Sequence, residues 1–355
     1  MSGDRALREI SDKVLAGERL SGEEGLRLFH CPDLPLLSFL ADTVRLRKHP
    51  EPMVTFNIGR NINYTNVCWV RCKFCAFYRV PGHQEGYVLP TETILEKVRE
   101  MVDLGGRELL LQGGLNPKLK IEYYEELFRA IRSAYDVDIH GLSSTEINYI
   151  ASISKLSLEE TLRRLRAAGL NSIPGAAEMV VDSVREAIAP YKEKSARWLE
   201  LMRTAHRLGL RTSATMMYGS VDTLEDRILH MLRVRELQDE TGGFTAFIAW
   251  SFQPEGTELG GTRASGLDYL RTTAVARLML DNIDNLQASW VTQGAKVAQI
   301  ALKYGLNDFG STMMEENVVS ATGVNFLMPI SEIRRLITDA GYQPRVRDTL
   351  YRLLD

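Results

Sequence analysis

Three of the four cysteines in this 355-residue chain lie within one stretch of eight residues. The stretch reads Cys-Trp-Val-Arg-Cys-Lys-Phe-Cys, so Cys68, Cys72 and Cys75 have the spacing C-x3-C-x2-C. Cysteine thiolates are the usual ligands of iron–sulfur clusters, and a four-iron cubane offers one ligand position per iron. One short loop can supply three ligands at little cost in chain closure. The spacing therefore predicts a cubane whose fourth iron is open to another ligand.

Two other interpretations of these cysteines remain open at this point. A structural zinc ion needs four nitrogen or sulfur ligands, and Cys31 or His83 would have to be the fourth. Zinc sites usually use two C-x2-C pairs, and the chain has no second pair. A disulfide framework is disfavoured because three neighbouring cysteines are an odd number. Cys31, far upstream, is expected to be a buried, small apolar residue.

Composition places the chain among globular proteins. Apolar residues make up 45% and charged residues 25% of the sequence, and the net charge is −3. No apolar run approaches the length of a membrane-spanning helix. The charged, amphipathic start of the chain has no apolar signal core, so a cytoplasmic protein is expected. Lys and Arg form no basic stripe, so no nucleic-acid partner is expected.

The apolar pattern predicts helices first and then alternating strands and helices. Residues 4–48 have apolar residues at helical spacing and predict two or three amphipathic helices. From residue 53, short apolar runs alternate with helical segments, which is typical of parallel strands joined by crossover helices. Gly105, Gly169 and Gly209 follow predicted helices, where a left-handed cap is favoured. The predicted strands are 54–58 with 62–65, 108–112, 138–142, 172–174, 212–218, 245–250, 285–290 and 308–312.

Eight such strand–helix units predict an α/β protein with the fold of a (β/α)8 TIM barrel. We expect a helical extension over residues 1–50, the barrel over 51–320, and a helical tail packed on the barrel over 321–355. The chemistry of such barrels lies at the carboxyl ends of the strands. The cysteine loop follows the first strand, so it should lie at this end.

Polar and glycine residues follow the other predicted strands and should face the cysteine loop. Gly113 and Gly114 after the second strand are a turn, or a place where backbone approaches a ligand closely. Ser144 and Glu178 after the third and fourth strands are helix caps or cofactor-binding groups that bind hydroxyls. Candidate substrate-binding groups at the remaining strand ends are Tyr218, Gln253, Lys296, Glu315 and Asn317.

Three residues are candidates for proton transfer. His83 and Glu85 lie in the loop directly after the cysteines, and a histidine titrates near neutral pH. The alternative for His83 is an ordinary surface histidine. Asp222 follows the fifth predicted strand.

The cysteine spacing, with Phe74 before the third cysteine, resembles the radical S-adenosylmethionine (SAM) enzymes. The resemblance implies a [4Fe-4S] cluster on Cys68, Cys72 and Cys75, with SAM on the open iron as the source of a 5′-deoxyadenosyl radical. It also implies that Gly113 and Gly114 hold the methionine amino group and that Phe74 lies beside the adenine. An electron donor such as flavodoxin or ferredoxin would then be a partner.

A narrower resemblance extends from about residue 20 to Tyr351. The segments RNINYTNVCWVRCKFCAFYRVPGHQEGYVL, LLLQGGLNP, RELQDETGGFTAFIAWSFQP and GSTMMEENVVSATG are similar to the cyclic dehypoxanthinyl futalosine synthases. This resemblance implies a cyclase of menaquinone biosynthesis that acts on a nucleoside-like small molecule.

Four places depart from the family pattern, and all four are expected to face the pocket. They are SIPGAAEMV at 172–180, SSTE at 143–146, the pair Ser220 and Asp222, and Ala249. A related radical enzyme with another nucleoside-like or aromatic substrate is therefore an alternative. A metal-stabilised binding protein is an alternative of another class.

Overall fold

The protein is a parallel α/β barrel with added helices at both ends of the chain. The computed structural model describes residues 5–323 and 328–354. Ten parallel strands form one sheet in the order β10-β1-β9-β8-β7-β6-β5-β4-β3-β2. The strands are β1 Met53–Asn57, β2 Gly59–Ile62, β3 Glu108–Leu111, β4 Asp138–Gly141, β5 Leu170–Ile173, β6 Arg211–Tyr218, β7 Phe244–Ser251, β8 Asn285–Gln287, β9 Asp308–Ser311 and β10 Gln343–Val346.

Helices precede the barrel and connect its strands. The first three are α1 Arg5–Ala16, α2 Gly22–Phe29 and α3 Leu34–Lys48. Those within the barrel are α4 Thr91–Asp103, α5 Ile121–Ala134, α6 Ser144–Ser154, α7 Leu158–Ala168, α8 Asp182–Ile188, α9 Ser195–Arg207, α10 Leu224–Thr241, α11 Gly266–Met279, α12 Trp290–Gln293 and α13 Ala295–Ala301. Near the C-terminus lies α14 Ile330–Asp339. None of the described helices has the length and apolarity needed to cross a membrane.

The barrel closes through its bent first strand. β1 and β2 are two halves of that strand, divided at Ile58. The first half pairs with β9 and the second with β3. The seam continues past the bend, because Thr312 N donates to Asn57 O at 3.1 Å and Met314 N to Gly59 O at 3.3 Å. With the two halves counted as one, the eight predicted barrel strands and the fold class are confirmed.

The predicted N-terminal helices are confirmed, and the third is fastened to the amino-terminal side of the barrel. Arg45 of α3 is fully buried and donates from Nε to Leu306 O at 3.2 Å and from Nη2 to Met53 O at 3.0 Å. These carbonyls precede or begin strands, so the helix covers the end of the barrel opposite the cysteine loop. These two backbone oxygens offset part of the cost of burying the guanidinium.

Several element predictions need correction. Helix α6 was missed because its polar start was interpreted as a ligand-binding loop, although Ile147, Ile150 and Ala151 have helical spacing. The extension predicted at 62–65 ends at Ile62, and the strand predicted at 285–290 ends at Gln287. The tail was predicted as helical, but it also contains β10, which pairs with β1. The left-handed glycines were predicted correctly, with φ of 80° at Gly105 and 77° at Gly209.

The residues after β10 close the amino-terminal end of the barrel. Arg347 is 3% exposed, and its Nη2 donates to Asp308 Oδ1 at 2.9 Å while Nε donates to Oδ2. The ring of Tyr351 covers the guanidinium, with 3.9 Å between its centroid and the guanidinium carbon. Nη2 also approaches Gln287 Oε1 at 3.4 Å. This buried ion pair joins the tail to β8 and β9.

The interior of the barrel is more accessible than its helix-covered side. Successive strand residues point to opposite faces. Residues facing the helices are almost completely buried, as for Leu109, Leu111, Ile139 and Phe247. Some of the residues facing the interior are partly exposed, among them Leu110, His140, Thr215, Ile248 and Gln287. Side chains fill a typical TIM barrel, whereas these interior side chains keep part of their solvent exposure.

The Arg347→Met substitution should strongly destabilise the fold. It keeps an apolar stem but leaves the buried Asp308 carboxylate without its partner, which costs about 3–5 kcal/mol. Urea unfolding, followed by circular dichroism, measures the change in the free energy of unfolding. The matched control is Arg335→Met on α14, whose ion pairs with Glu332 and Asp339 are exposed and contribute about 1 kcal/mol or less. Equal losses in the two variants would contradict the role of the buried pair.

Candidate active site

The cysteine loop lies between β2 and α4, and hydrogen bonds from both sides hold it. Cys68 N donates to Arg79 O at 2.8 Å, and Cys75 N donates to Cys72 O at 3.1 Å. Lys73 N donates to Ile188 O at 2.9 Å, which joins the loop to the end of α8. Backbone bonds from neighbouring elements therefore fix the loop at the carboxyl end of the barrel.

The three thiols of the loop are partly buried and well placed for a charged cluster. Burial is the largest effect on the pKa of each thiol, and it raises all three values. Backbone N–H groups of Leu115 and Val70 face Cys68 and lower its pKa. Thiolates at such a site need compensation by iron or by hydrogen-bond donors. The loop supplies hydrogen-bond donors to the thiolates, and a metal group would have to supply most of the positive charge that stabilises them.

The described residues do not form a site for a single metal ion. Within residues 5–323 and 328–354, no three His, Cys, Asp or Glu side chains come close enough to hold one metal ion. A mononuclear zinc site needs its ligands that close. A cubane separates its ligands because each thiolate binds a different iron. Cys31 is 1% exposed in the N-terminal helical region, as predicted, and Arg271 donates to its carbonyl oxygen.

Gly113 and Gly114 allow the loop after β3 to pack directly on the cysteine loop. Gly114 N donates to Thr65 O at 2.9 Å. A Cβ atom on Gly114 would lie 2.4 Å from Val67 O and 2.8 Å from Cys68 Cβ. A Cβ atom on Gly113 would lie 2.7 Å from the Tyr64 ring. The sequence predicts a turn or a close approach of backbone to a ligand here. In the structure, the two glycines pack closely against Tyr64, Val67 and Cys68 of the same chain.

A buried carboxylate holds this packing in place. Glu146 Oε1 accepts from Tyr64 Oη at 2.6 Å and from Gly113 N at 2.9 Å. Its Oε2 accepts from Ser143 N and Oγ, each at 2.6 Å. Burial raises the pKa of Glu146 despite these donors. Glu146 therefore completes the N-terminal cap of α6 and links it to the glycine turn.

A buried ion pair lies on the other side of the cysteines. Lys192 Nζ is 2.6 Å from Glu178 Oε2, and each side chain is 9% exposed. The same nitrogen lies 5.9 Å from the centroid of the Phe74 ring. Sequence reasoning missed Lys192 because it lies in the connection between α8 and α9, after no strand. Its position beside Phe74 and a strand-end carboxylate is visible only once the chain is folded.

Three of the other candidate cofactor- and substrate-binding residues lie in different parts of the structure. They are Ser144, Tyr218 and Lys296. Ser144 Oγ donates to Glu193 Oε1 at 2.7 Å. The Tyr218 ring lies 4.5 Å below the guanidinium of Arg227 on α10, so it points toward the helices. Lys296 is exposed on α13. These positions do not bring the three residues together around the lumen.

Gln253, Glu315 and Asn317 remain closer to the strand ends. Gln253 is 4% exposed; its Nε2 donates to Ser251 Oγ at 3.0 Å, and its Oε1 has no partner among the described residues. Glu315 is bound by Arg60 at 2.9 Å and by Lys97 at 2.6 Å. Asn317 Nδ2 donates to Glu315 Oε1 at 2.9 Å. Gln253 therefore has an unused acceptor, whereas Glu315 is occupied by two cations.

The three candidate proton-transfer residues lie apart. His83 and Glu85 are exposed, and Glu85 pairs with Arg79 at 2.6 Å. The Asp222 side chain is fully buried, and its Oδ2 lies 2.8 Å from Arg227 Nε. Its Oδ1 accepts from Ser220 N at 2.8 Å. The role of each in proton transfer stays a prediction, and none of the three lies on a barrel strand.

Comparison with known families adds to this geometry. Residues 62–234 match the Radical SAM superfamily, and residues 241–355 match the CofH/MqnC C-terminal region. The cyclic dehypoxanthine futalosine synthase of Halalkalibacterium halodurans is 46% identical over 97% of this chain and 94% of the relative. The chain is a radical SAM enzyme.

Other relatives share the same architecture. The cyclic dehypoxanthine futalosine synthase of Streptomyces coelicolor is 45% identical over 97% of this chain and 88% of the relative. A 5-amino-6-(D-ribitylamino)uracil–L-tyrosine 4-hydroxyphenyl transferase of Archaeoglobus fulgidus is 44% identical over 89% of this chain and 93% of the relative. The solved structure of the FeFe-hydrogenase maturase HydG from Carboxydothermus hydrogenoformans has a TM-score of 0.79 and 17% identity, covering 98% of this chain and 80% of its own.

Membership in the superfamily implies a [4Fe-4S] cluster and SAM, and the site suits both groups. The three partly buried thiols with their N–H donors suit the cluster. The aromatic ring of Phe74 and the buried charges of Glu178 and Lys192 suit a cofactor with an adenine, a ribose and a zwitterionic end. These charges are paired with each other, so a bound cofactor would have to exchange partners with them.

The Gly114→Ala variant of this radical SAM enzyme should fail to retain its cluster. The added Cβ meets the backbone of Val67 and the side chain of Cys68, so the cysteine loop must shift. After anaerobic reconstitution, we expect iron and acid-labile sulfide per chain to fall several-fold while the fold persists. The control is Gly266→Ala, where the Cβ meets only a Val297 methyl group at 3.2 Å. Full iron content in Gly114→Ala would show that the close packing is dispensable.

Proposed function

We propose that this radical SAM enzyme converts dehypoxanthine futalosine to its cyclic form in menaquinone biosynthesis. The observation that carries the proposal is similarity along nearly the whole chain to two relatives from distant bacteria that carry this name. The family matches over residues 62–234 and 241–355 together cover the barrel strands from β3 to β9 and the C-terminal tail.

In this proposal Cys68, Cys72 and Cys75 hold the [4Fe-4S] cluster at the mouth of the barrel. When bound, the cluster and SAM would supply a 5′-deoxyadenosyl radical after reduction by a one-electron donor. Glu178 would accept hydrogen bonds from ribose hydroxyls, since a carboxylate offers several acceptor positions. Lys192 would then pair with a carboxylate of the cofactor. Phe74 would lie against the adenine.

The proposed reaction depends on the positioning of the cofactor and the substrate more than on acid–base groups. The hydrogen to be removed lies on the ribose C4′ of the substrate, and the resulting carbon radical adds to the benzoate ring. The protein must hold the two partners close together and keep water away from the radical. The accessible lumen lies directly below the cysteine loop and is walled by apolar residues such as Leu110 and Ile248. The unpaired Gln253 Oε1 is available to a substrate donor.

Local hydrogen bonds or burial account for three of the four departures from the family pattern. Two of these, at Asp222 and Ala249, are buried on the helix side and do not face the lumen, contrary to the expectation from the sequence. Ser144 and Thr145 both donate to Glu193, at 2.7 and 2.9 Å. The Asp222 side chain is buried against Arg227. Ala249 is 3% exposed and shares the helix-facing side of β7 with Phe247, whose ring contacts His230 on α10. Because local packing accounts for these departures, they give little support to a changed substrate.

A second candidate is a related radical enzyme that joins an aromatic group to another nucleoside-like substrate. It is favoured by the 44% identity to the Archaeoglobus fulgidus tyrosine 4-hydroxyphenyl transferase, which is almost as high as the identity to the cyclases. Both candidates use the same cluster site and differ in what enters the lumen. The metal-stabilised binding protein is excluded by membership in an enzyme family.

Deuterium tracing distinguishes the two candidates. Dehypoxanthine futalosine deuterated at the ribose C4′ is incubated with reconstituted protein, reductant and SAM. We expect deuterium in the released 5′-deoxyadenosine and formation of the cyclic product, both measured by mass spectrometry. Cleavage of SAM without deuterium transfer would overturn the cyclase proposal and favour the second candidate.

Two cysteine variants serve as matched controls. Cys72→Ser removes one cluster ligand and should yield no 5′-deoxyadenosine. Cys31→Ser removes a buried thiol between α2 and α3, so this variant should form the same products as the wild type.

A further inference from the structure

A row of interior side chains crosses four neighbouring strands below the cysteine loop. Asn61 on β2 is in register with Leu110 on β3, which is in register with His140 on β4. His140 is in turn in register with Ser172 on β5. Side chains in register on a parallel sheet share one face, and Leu110 and His140 are partly exposed there. The row is therefore part of the lumen wall.

Two side chains in this row have a polar atom without a hydrogen-bond partner among the described residues, so a ligand could bind there. Asn61 is 4% exposed, and its Oδ1 has no hydrogen-bond partner among the described residues. A buried acceptor without a partner is costly unless a ligand or water supplies a donor. The imidazole Nδ1 of His140 lies 2.6 Å from Ser172 Oγ. Across the part of the chain that the structure describes, Nε2 has no such partner, and the residue is partly exposed, so Nε2 is left for the lumen.

The other histidines have different surroundings. His206 binds hydroxyl groups with both ring nitrogens, Thr241 at 2.6 Å and Thr212 at 2.9 Å. His230 lies on α10, and its Nδ1 accepts from Val180 N at 2.9 Å. The remaining three are His30 and His49 at the ends of N-terminal helices and the exposed His83. His140 is thus the histidine that a barrel strand directs into the lumen.

The electrostatics of the row favour a neutral imidazole. Burial lowers the pKa of His140, and the charge of Arg347 lowers it further. Glu108, one layer below on β3, acts in the opposite direction and raises it. A neutral ring whose Nδ1–H donates to Ser172 has a free lone pair on Nε2. That form can accept a proton from the lumen.

We propose that His140 is the proton acceptor of the cyclisation and that Ser172 positions its ring. This inference rests on the proposed function. Once the C4′ radical has added to the benzoate ring, the new C–C bond leaves an unpaired electron on that ring. Aromaticity would return when the ring lost its C–H proton to Nε2 and one electron, for which the oxidised iron–sulfur cluster would be the acceptor. The C–H electron pair stays in the ring, and the imidazolium later releases the proton to water.

The His140→Gln variant separates hydrogen abstraction from the final proton transfer. With C4′-deuterated substrate, we expect deuterium still to enter 5′-deoxyadenosine in a single turnover, because abstraction needs no base. Formation of the cyclic product should fall about 100-fold or more, the usual contribution of a positioned base. His30→Gln, at an exposed helix end, is the control and should match the wild type in both measurements.

The pH profile gives a second readout that loss of packing would not imitate. In the wild type, product formation should fall at acid pH as His140 is protonated, and His140→Gln should lack this acid limb. Ser172→Ala keeps the histidine but frees its Nδ1, so the acid limb should persist with a shifted midpoint and a lower plateau. This variant removes one hydroxyl and tests the role even if His140→Gln fails to fold.

Three results would overturn the inference in different ways. If His140→Gln forms cyclic product at the wild-type rate with the same acid limb, His140 is not the acceptor although the cyclase proposal stands. If Ser172→Ala leaves that limb unmoved, Ser172 does not position the ring. If wild-type protein cleaves SAM without taking deuterium from C4′, the proposed function falls and this role with it.

Discussion

The compensation of three partly buried thiolates at the barrel mouth is the constraint on which the rest of the site depends. Burial raises the pKa of Cys68, Cys72 and Cys75, so the thiolate forms require a strong local counter-charge. Bound iron would provide that charge, while backbone N–H groups of Val70 and Leu115 provide a smaller share at Cys68. The loop can hold its three ligands only if its backbone is fixed before the cluster binds.

The structure supplies this fixation from the neighbouring strand ends. The glycine turn after β3 comes so close to Val67 and Cys68 that no side chain fits between them. Glu146, which follows β4, accepts hydrogen bonds from Gly113 after β3 and from Tyr64 after β2. The ends of β2, β3 and β4 are thereby joined. Lys192 and Glu178 form a second boundary beside Phe74. The carboxyl ends of four successive barrel strands thereby form one connected rim around the cysteines.

The sequence predicted much of the barrel because its apolar runs and helical segments alternate regularly. It predicted the cysteine loop because ligand spacing is a local property of the chain. The sequence did not reveal that Tyr218 and Asp222 turn toward Arg227, since a strand end alone does not tell which face a side chain takes. Lys192 and His140 were missed for a related reason. One lies in a connection and the other inside a strand, and only the folded barrel places them beside the ligand space.

The central claim is that one iron of the cluster has a free coordination position. Electron–nuclear double resonance with isotopically labelled SAM tests this claim most directly. The reduced, reconstituted protein is mixed with SAM carrying ¹⁵N in its methionine amino group, and electron–nuclear double resonance is recorded. We predict a hyperfine coupling between the cluster and that nitrogen, because three cysteines leave one iron free to bind it. A cluster that shows no coupling to the labelled nitrogen, under conditions where SAM binding is demonstrated independently, would contradict the account.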